Sequence, residues 1–386
     1  MKNGADICMI VHNDVTADSR VLKEAASLAA HGYRVVVVGI SLTGQGPQEI
    51  KSEAGFTIWR ARPPLLLPAR SPNRTGLFLR LMLALPASMV YLRRVNARVY
   101  HAHDFTGLLH LALTGIWRRP VVYDSHELFF DRPLPDLAAP VRWALYRMRG
   151  LEKRLARRAA CVITINDTIA DRLAETLGIP RPVVVRNAVD LRDLAPRAAD
   201  FPVNGRVIAH TGRLVPGRHL HELIIALKYL PADVSLVYMG EGPLGESLLA
   251  YAEAQGVKGR FAIVPPVPPE AVSLTLAQAD VAAVLTTTEG LNNNFALPNK
   301  FFEAIAAGVP LVTGPNVEIA ALMQQYQMGV ICDPSNPEAL AQAINTVLQP
   351  ENLARFRANA RQARAVLNWE QEEGKLIAVY EAILGR

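Results

Sequence analysis

The sequence predicts an α/β protein made of two doubly wound domains, and three observations carry that prediction. Its 386 residues are too many for one ordinary core and suit two of common size. Short β-branched runs alternate with longer amphipathic stretches, and the alternation occurs twice, on either side of an aperiodic stretch over 187–205 that reads as a linker. Strands that alternate with helices pair in parallel, because each helix is the crossover between neighbouring strands.

In the first half, Ile7–Val11, a helix over Ser19–His31 and Arg34–Ile40 make a βαβ opening. Further strands fall at Val99–Ala102, Val121–Tyr123, Cys161–Ile165 and Val183–Val185, with helices over Phe105–Trp117, Val141–Arg158 and Thr168–Leu177. The second half repeats the pattern, with strands at Arg206–His210, Val234–Met239, Ala262–Val264, Val281–Leu285, Pro310–Thr313 and Val330–Cys332. The expected division is a first domain over 1–190, a second over 191–366, and a closing helix within 367–386 that packs back on the first. The strand ends of the two sheets would then face a common cleft, the usual ligand site of open α/β sheets.

Half of the residues are hydrophobic, yet no run reaches the roughly 18 apolar residues of a membrane span. The amino end lacks the pattern of a secretory signal, so a cytoplasmic location is expected. Cys8, Cys161 and Cys332 are odd in number and widely separated in apolar surroundings, which suits reduced core residues. The net charge of +6 is uneven, with +10 on 1–190 and −4 on 191–386. Residues 57–98 hold eight arginines and no acid among leucine-rich runs, which reads either as a solvated face or as a patch for an anionic surface, such as the inner face of the cell membrane. Few aromatics interleave with these arginines, so nucleic acid is not an expected partner.

The most informative stretch runs from Phe295 through Glu303 to Pro310. Pro298 is placed to start a helix and Gly308 to end it, with the helix following a strand directly. Free N–H groups at such a terminus make a diphosphate site, and Glu303 one turn further in can accept from both hydroxyls of a ribose. A capped core helix with Glu303 on its wet face is the plain alternative. On the loop Thr211–Arg218, two guanidinium groups, Arg213 and Arg218, can clamp a diphosphate and stabilise charge on a leaving phosphate. The loop His12–Arg20, with Asn13, Asp18 and Arg20, gathers polar groups at the end of the first strand, although Asp18 also suits a helix cap. His101-Ala-His103-Asp104 and Tyr123-Asp-Ser-His126-Glu127 end two more strands, and no further cluster of metal-ligand spacing accompanies the histidine pair. Gly240-Glu-Gly242-Pro243 is a tight turn where backbone can lie close to a base or phosphate.

In this order these residues resemble the retaining glycosyltransferases of GT-B fold known as glycosyltransferase family four. Its marks are Asp18-Ser-Arg-Val-Leu-Lys-Glu24, His101-Ala-His-Asp104, Asp124-Ser-His-Glu127, Arg186-Asn-Ala-Val-Asp190, Gly212-Arg213 with Arg218, Gly240-Glu-Gly-Pro243 and Leu297-Pro-Asn-Lys-Phe-Phe-Glu303. The resemblance implies two Rossmann-like domains, an acceptor-binding one followed by a donor-binding one. It implies sugar transfer from a nucleoside-diphosphate sugar, UDP-sugar favoured, to a hydroxyl of an acceptor sugar, lipid-linked sugar or small molecule, anionic ones included. Cell-surface polysaccharide or glycolipid assembly is the setting it suggests. Arg213, Arg218 and His103 would be catalytic, His103 lying beside the reacting sugar carbon. Donor contacts would come from Gly212, Gly240, Gly242, Asn293, Asn294, Phe295, Ala296, Leu297, Lys300 and Glu303, and acceptor contacts from Asn13, Asp18, Arg20, Asp104, His126 and Glu127. No cofactor and no metal are implied. The family's usual first glutamate is replaced, since its place falls on Phe295 or, with a shifted alignment, on Asn293; Asn292, Asn294 and Glu289 are the other candidates for gripping the donor sugar. That departure encourages one rival reading, a noncatalytic nucleotide-sugar binder or scaffold, and a second rival is a different GT-B enzyme such as a nucleotide-sugar epimerase or a phosphorylase.

Overall fold

The computed structural model describes residues 4–16, 18–40, 48–61, 86, 88–131 and 139–385. The chain divides into two units, Met1–Arg186 with Glu372–Arg386, and Asn187–Gln371.

The first unit is organised on an eight-stranded sheet of β1 (Ile7–Ile10), β2 (Val35–Ile40), β3 (Glu49–Lys51), β4 (Thr57–Ala61), β5 (Val99–His103), β6 (Val121–Ser125), β7 (Cys161–Thr164) and β8 (Val183–Val184). Their order is β3-β4-β2-β1-β5-β6-β7-β8, parallel except for the β3–β4 pair. β1 is central and fully buried, as a continuous apolar run in a two-sided sheet must be. The order reverses between β1 and β5, so crossovers leave β1 to opposite sides and open a crevice at the carboxyl ends of these strands. Helix Ser19–Ala30 starts there, capped by Asp18, whose side chain accepts from the Val21 amide.

The arginine-rich stretch begins inside the fold, which corrects its reading as one exposed face. β4 pairs with β2, and Arg60 is buried with Nε donating to the Asp14 carbonyl at 2.9 Å. A surface reading by charge count fails here because one strand face points inward whatever residues it carries. Residues 62–85 and 87 lie outside the described residues, and most of the expected anionic-surface contact with them. Among the described residues no helix is long and apolar enough to cross a membrane.

The second unit holds six parallel strands, β9 (Arg206–Thr211), β10 (Val234–Met239), β11 (Phe261–Val264), β12 (Val281–Val284), β13 (Leu311–Thr313) and β14 (Gly329–Ile331), in the order β11-β10-β9-β12-β13-β14. Alternate residues feed two apolar layers: Ile208, Leu236 and Tyr238 join one with Leu223 and Ile344, whereas Val207, Ala209 and Val237 join the other with Phe301 and Phe302. The switch point lies between β9 and β12. The closing helix Trp369–Leu384 leaves the second unit after Gln371, and its Tyr380 is buried in the first unit on the His101 ring.

Buried His110 and half-buried His12 form a pair whose ring nitrogens have no evident structural partner among the described residues. The rings of His12 and His110 meet edge to face at 5.6 Å, and among the described residues none of their four nitrogens finds a hydrogen bond. Burial pushes His12 down to about 4, and burial with the nearby His12 pushes His110 down to about 3. A folded-state value below that of the unfolded chain means stability that is present above about pH 6.5 and lost as the pH falls toward these values. The variant His110→Phe is expected to show a shallower loss of unfolding free energy between pH 6.5 and 4 than the parent; identical slopes in urea titrations would refute the assignment.

Candidate functional site

In the second unit three loops meet at the carboxyl ends of β9, β10 and β12. The β9 loop returns by Leu214 N–H to the Glu241 carbonyl at 2.9 Å, while Thr287 N–H donates to the Gly217 carbonyl at 3.0 Å. Gly240 and Gly242 lie against this loop. A methyl group at either would overlap the backbone of Gly212 or Leu214, so these glycines shape the β9 loop by close approach. That close approach gives both glycines a role in holding the loop.

Helix Asn299–Ala307 is bounded as its sequence predicts, with Pro298 as extended N-cap and Gly308 left-handed at its end, φ 68°. Its expected direct junction to a strand is corrected. β12 ends at Val284, and residues 285–298 intervene with a short helical turn at Leu291–Asn294. Asparagine side chains shape this insertion by bonding backbone, as they do in turns: Asn293 Nδ2 donates to the Glu289 carbonyl at 2.9 Å, and Asn316 Nδ2 to the Asn293 carbonyl at 3.1 Å. Asn294 and Phe295 continue the same turn by bonds to the Gly290 and Leu291 carbonyls, and the Ala296 amide bonds the Asn293 carbonyl. The Leu297 side chain is buried in the core beside Phe301, which leaves its backbone for any donor contact.

Lys300 and Glu303 stand one turn apart on that helix and face the end of β9. Lys300 is buried, and its ammonium lies 3.4 Å from His210 Nε2; Thr211 Oγ1 donates to Glu303 Oε2 at 2.9 Å. Arg218 is half-buried and donates from Nη1 to Thr286 Oγ1 at 3.1 Å, bridging the β9 and β12 loops across the switch point. Burial, with the Arg218 charge nearby, lowers Lys300 to about 7, against the pull of Glu303; burial likewise lowers Arg218. Among the described residues neither cation lies in ion-pair contact with a carboxylate. Arg213 is exposed on the same loop. His210, Thr211 and Thr286 escape the sequence reading, and the available signal is a polar pair, His210-Thr211, closing an otherwise apolar strand.

The first unit builds a different kind of cluster at the ends of β1, β5 and β6. Asp124 is fully buried and receives Arg20 in a two-pronged grip, Nε to Oδ2 at 2.8 Å and Nη2 to Oδ1 at 2.9 Å. Arg20 also reaches Glu24 at 3.0 Å and donates to the Val185 carbonyl at 2.7 Å. Being buried and fully engaged, Arg20 braces the fold, which corrects its placement among acceptor contacts. Burial alone would raise the Asp124 carboxyl, but Arg20 and His126 outweigh it and hold it well below the usual range. His126 Nε2 lies 2.8 Å from Asp124 Oδ2. Burial lowers its basicity, yet Asp124 and Asp104 prevail and raise it to about 9, so it is an imidazolium at neutral pH. His126 keeps 20% of its side chain exposed.

His103 lies behind it, Nδ1 3.1 Å from His126 Nε2, stacked on His101 at 4.2 Å. Burial and the adjacent His101 lower His103 to about 3, so it is neutral, and among the described residues its Nε2 has no hydrogen-bond partner. Asp104 adopts φ 56° and accepts from the His126 amide at 3.2 Å. Asn13 donates to Asp18 at 2.8 Å, and Glu127 is half-buried, its carbonyl accepting from Ser125 Oγ. Glu24, His101, His103 and Asp124 bring potential metal-ligand atoms within 4.8 Å of one another, and the Arg20 guanidinium already stands between the two carboxylates as their cation.

Residues 18–193 match Glycosyltransferase Family 4, and residues 192–363 match Glycosyl transferases group 1. The glycogen synthase of Mycobacterium tuberculosis is 29% identical over 74% of this chain and 68% of its own. A sucrose-phosphate synthase from Thermosynechococcus elongatus superposes with a TM-score of 0.78 at 18% identity, covering 98% of this chain and 99% of its own. Anabaena HepE, solved with UDP-glucose, reaches 0.68 at 17% identity over 98% of each chain. These last two are likenesses of fold.

Removing one partner from a buried charge cluster leaves the other uncompensated, which costs about 3–5 kcal/mol. Arg20→Met is therefore expected to lower the unfolding free energy by about that amount, read from chemical denaturation; a loss below about 1 kcal/mol would show that the cluster bears little load.

Proposed function

The chain is a family-4-like glycosyltransferase of GT-B fold using a nucleoside-diphosphate-sugar donor, and on that premise we propose that the donor site lies at the β9–β12 switch point. One observation carries this assignment: buried Lys300 faces a neutral histidine, with a second cation, Arg218, near it and Glu303 the carboxylate one turn away but out of ion-pair contact, an arrangement that a further anion completes. In this reading Lys300 and Arg218 hold the diphosphate, Arg213 closes over it from the exposed loop, and Glu303 accepts from the ribose hydroxyls. UDP-sugar is the favoured donor, a choice supported by the UDP-glucose complex of HepE. Asn292–Asn294 and Phe295 then border the sugar.

The acceptor meets the β1, β5 and β6 loops of the first unit. His126, cationic and partly exposed between Asp104 and Asp124, suits an acceptor that carries an anionic group. Transfer proceeds with retention: the bond from the anomeric carbon to the leaving phosphate oxygen breaks first, the acceptor hydroxyl attacks from the same face, and its proton passes to that phosphate. Preorganised positive charge stabilises the departing diphosphate, the largest contribution a protein makes to such a step. The resemblance further implies that this charge acts without a divalent metal.

Binding of UDP is expected to raise the melting temperature, and Lys300→Met and Arg218→Ala are each expected to weaken it about 10- to 100-fold, the worth of one or two charge-assisted hydrogen bonds. If UDP, GDP, ADP and TDP stabilise parent and variants equally, the diphosphate assignment is wrong. Turnover with a UDP-sugar is expected to survive EDTA, and loss of activity restored by Mg²⁺ would contradict the metal-free reading.

A further inference from the structure

The two donor-site side chains on helix Asn299–Ala307 do not stand unaided. Each meets one of the last two residues of β9, His210 and Thr211. Neighbouring residues of a strand point to opposite faces, so one helix can meet both only at the sheet edge. The long side chain of Lys300, in the first turn, reaches His210; Glu303, one turn later, meets Thr211.

The His210 ring is fixed from its other end. Its Nδ1 lies 3.0 Å from the Ala283 carbonyl, an acceptor only, so Nδ1 carries the proton. The ring is fully buried beside Lys300 and Arg218, and both influences keep it from taking a second proton. Nε2 therefore offers a lone pair, and the Lys300 ammonium donates to it. Thr211 plays the matching part for Glu303, its hydroxyl hydrogen satisfying Oε2 at 2.9 Å. Both supports come from a central strand, and its partner in the second grip, β12, supplies Ala283.

We infer that His210 and Thr211 are positioning residues, His210 aiming the Lys300 ammonium at the diphosphate and Thr211 presenting the Glu303 carboxylate to the ribose; the inference rests on the donor-site reading above. The charged groups facing Lys300 are Arg218 from the β9 loop and Glu303 from its own helix, with His210 as the neutral acceptor. Loss of that acceptor makes the ammonium less favourable, so it gives up its proton at lower pH and binds anions less well in mildly alkaline solution.

The test is calorimetric titration of UDP and of inorganic pyrophosphate at pH 6 and pH 8. In His210→Phe the ratio of Kd at pH 8 to Kd at pH 6 is expected to rise about tenfold over the parent for both ligands, the worth of one hydrogen bond to a charged group. His210→Gln, which restores an acceptor at a similar reach, is expected to return the ratio toward the parent value. Thr211→Val is expected to weaken UDP about tenfold and leave pyrophosphate unchanged, because pyrophosphate has no ribose. An unchanged pH ratio in His210→Phe, or equal weakening of both ligands in Thr211→Val, overturns the inference. A parent protein that binds neither ligand overturns instead the donor-site reading on which it rests.

Discussion

A charge withdrawn from water has to be answered by an opposite charge or by hydrogen bonds, and this constraint organises both halves of the molecule. Each unit gathers ionisable side chains at the carboxyl edge of a parallel sheet, the one place where several strands release loops together. The first unit answers its buried carboxylates from within, since Arg20 grips Asp124 on both oxygens and also reaches Glu24. At the β9–β12 switch point of the second unit, Lys300 faces the neutral His210 ring with Arg218 nearby and Glu303 one turn away. The Arg20–Asp124 grip braces the fold, while His126 at the edge of the same cluster keeps part of its surface in solvent. In the second unit, among the described residues, Lys300 and Arg218 make no ion-pair contact with a carboxylate, and the proposed diphosphate would supply that countercharge.

The same contrast explains why the motifs of this chain serve different ends. Gly240-Glu-Gly-Pro243 has the composition of a ligand-hugging turn, yet its glycines are needed by the backbone of the neighbouring loop. Arg20 sits in a polar motif at a strand end, yet its guanidinium is engaged by protein groups on every side. A motif records that a residue type is required at a position; the contacts decide whether the requirement comes from ligand or from packing.

Much of the fold was legible in the chain. The marks that read it are local: apolar runs such as Val234–Met239, the Asp18 cap, and the Pro298 and Gly308 bounds of the helix Asn299–Ala307 all act within a few residues of themselves. The misses have equally local causes. β3 is only three residues long, and β4 carries a tryptophan and an arginine that blur its apolar pattern. The insertion over 285–298, by contrast, reads as a direct strand-to-helix junction, because its turn is held by contacts such as Asn316 Nδ2 with the Asn293 carbonyl that join residues 23 apart.

By itself the sequence determined the two α/β domains, the strand ends where chemistry gathers, and the family, because periodicity, caps and ordered motifs are properties of neighbouring residues. Only the tertiary structure decided which charges meet an opposite charge inside the protein and which are buried without one. That distinction belongs to contacts such as Arg20 with Asp124, 104 residues apart, and Lys300 with His210, 90 apart, and to the burial that gives those contacts their strength.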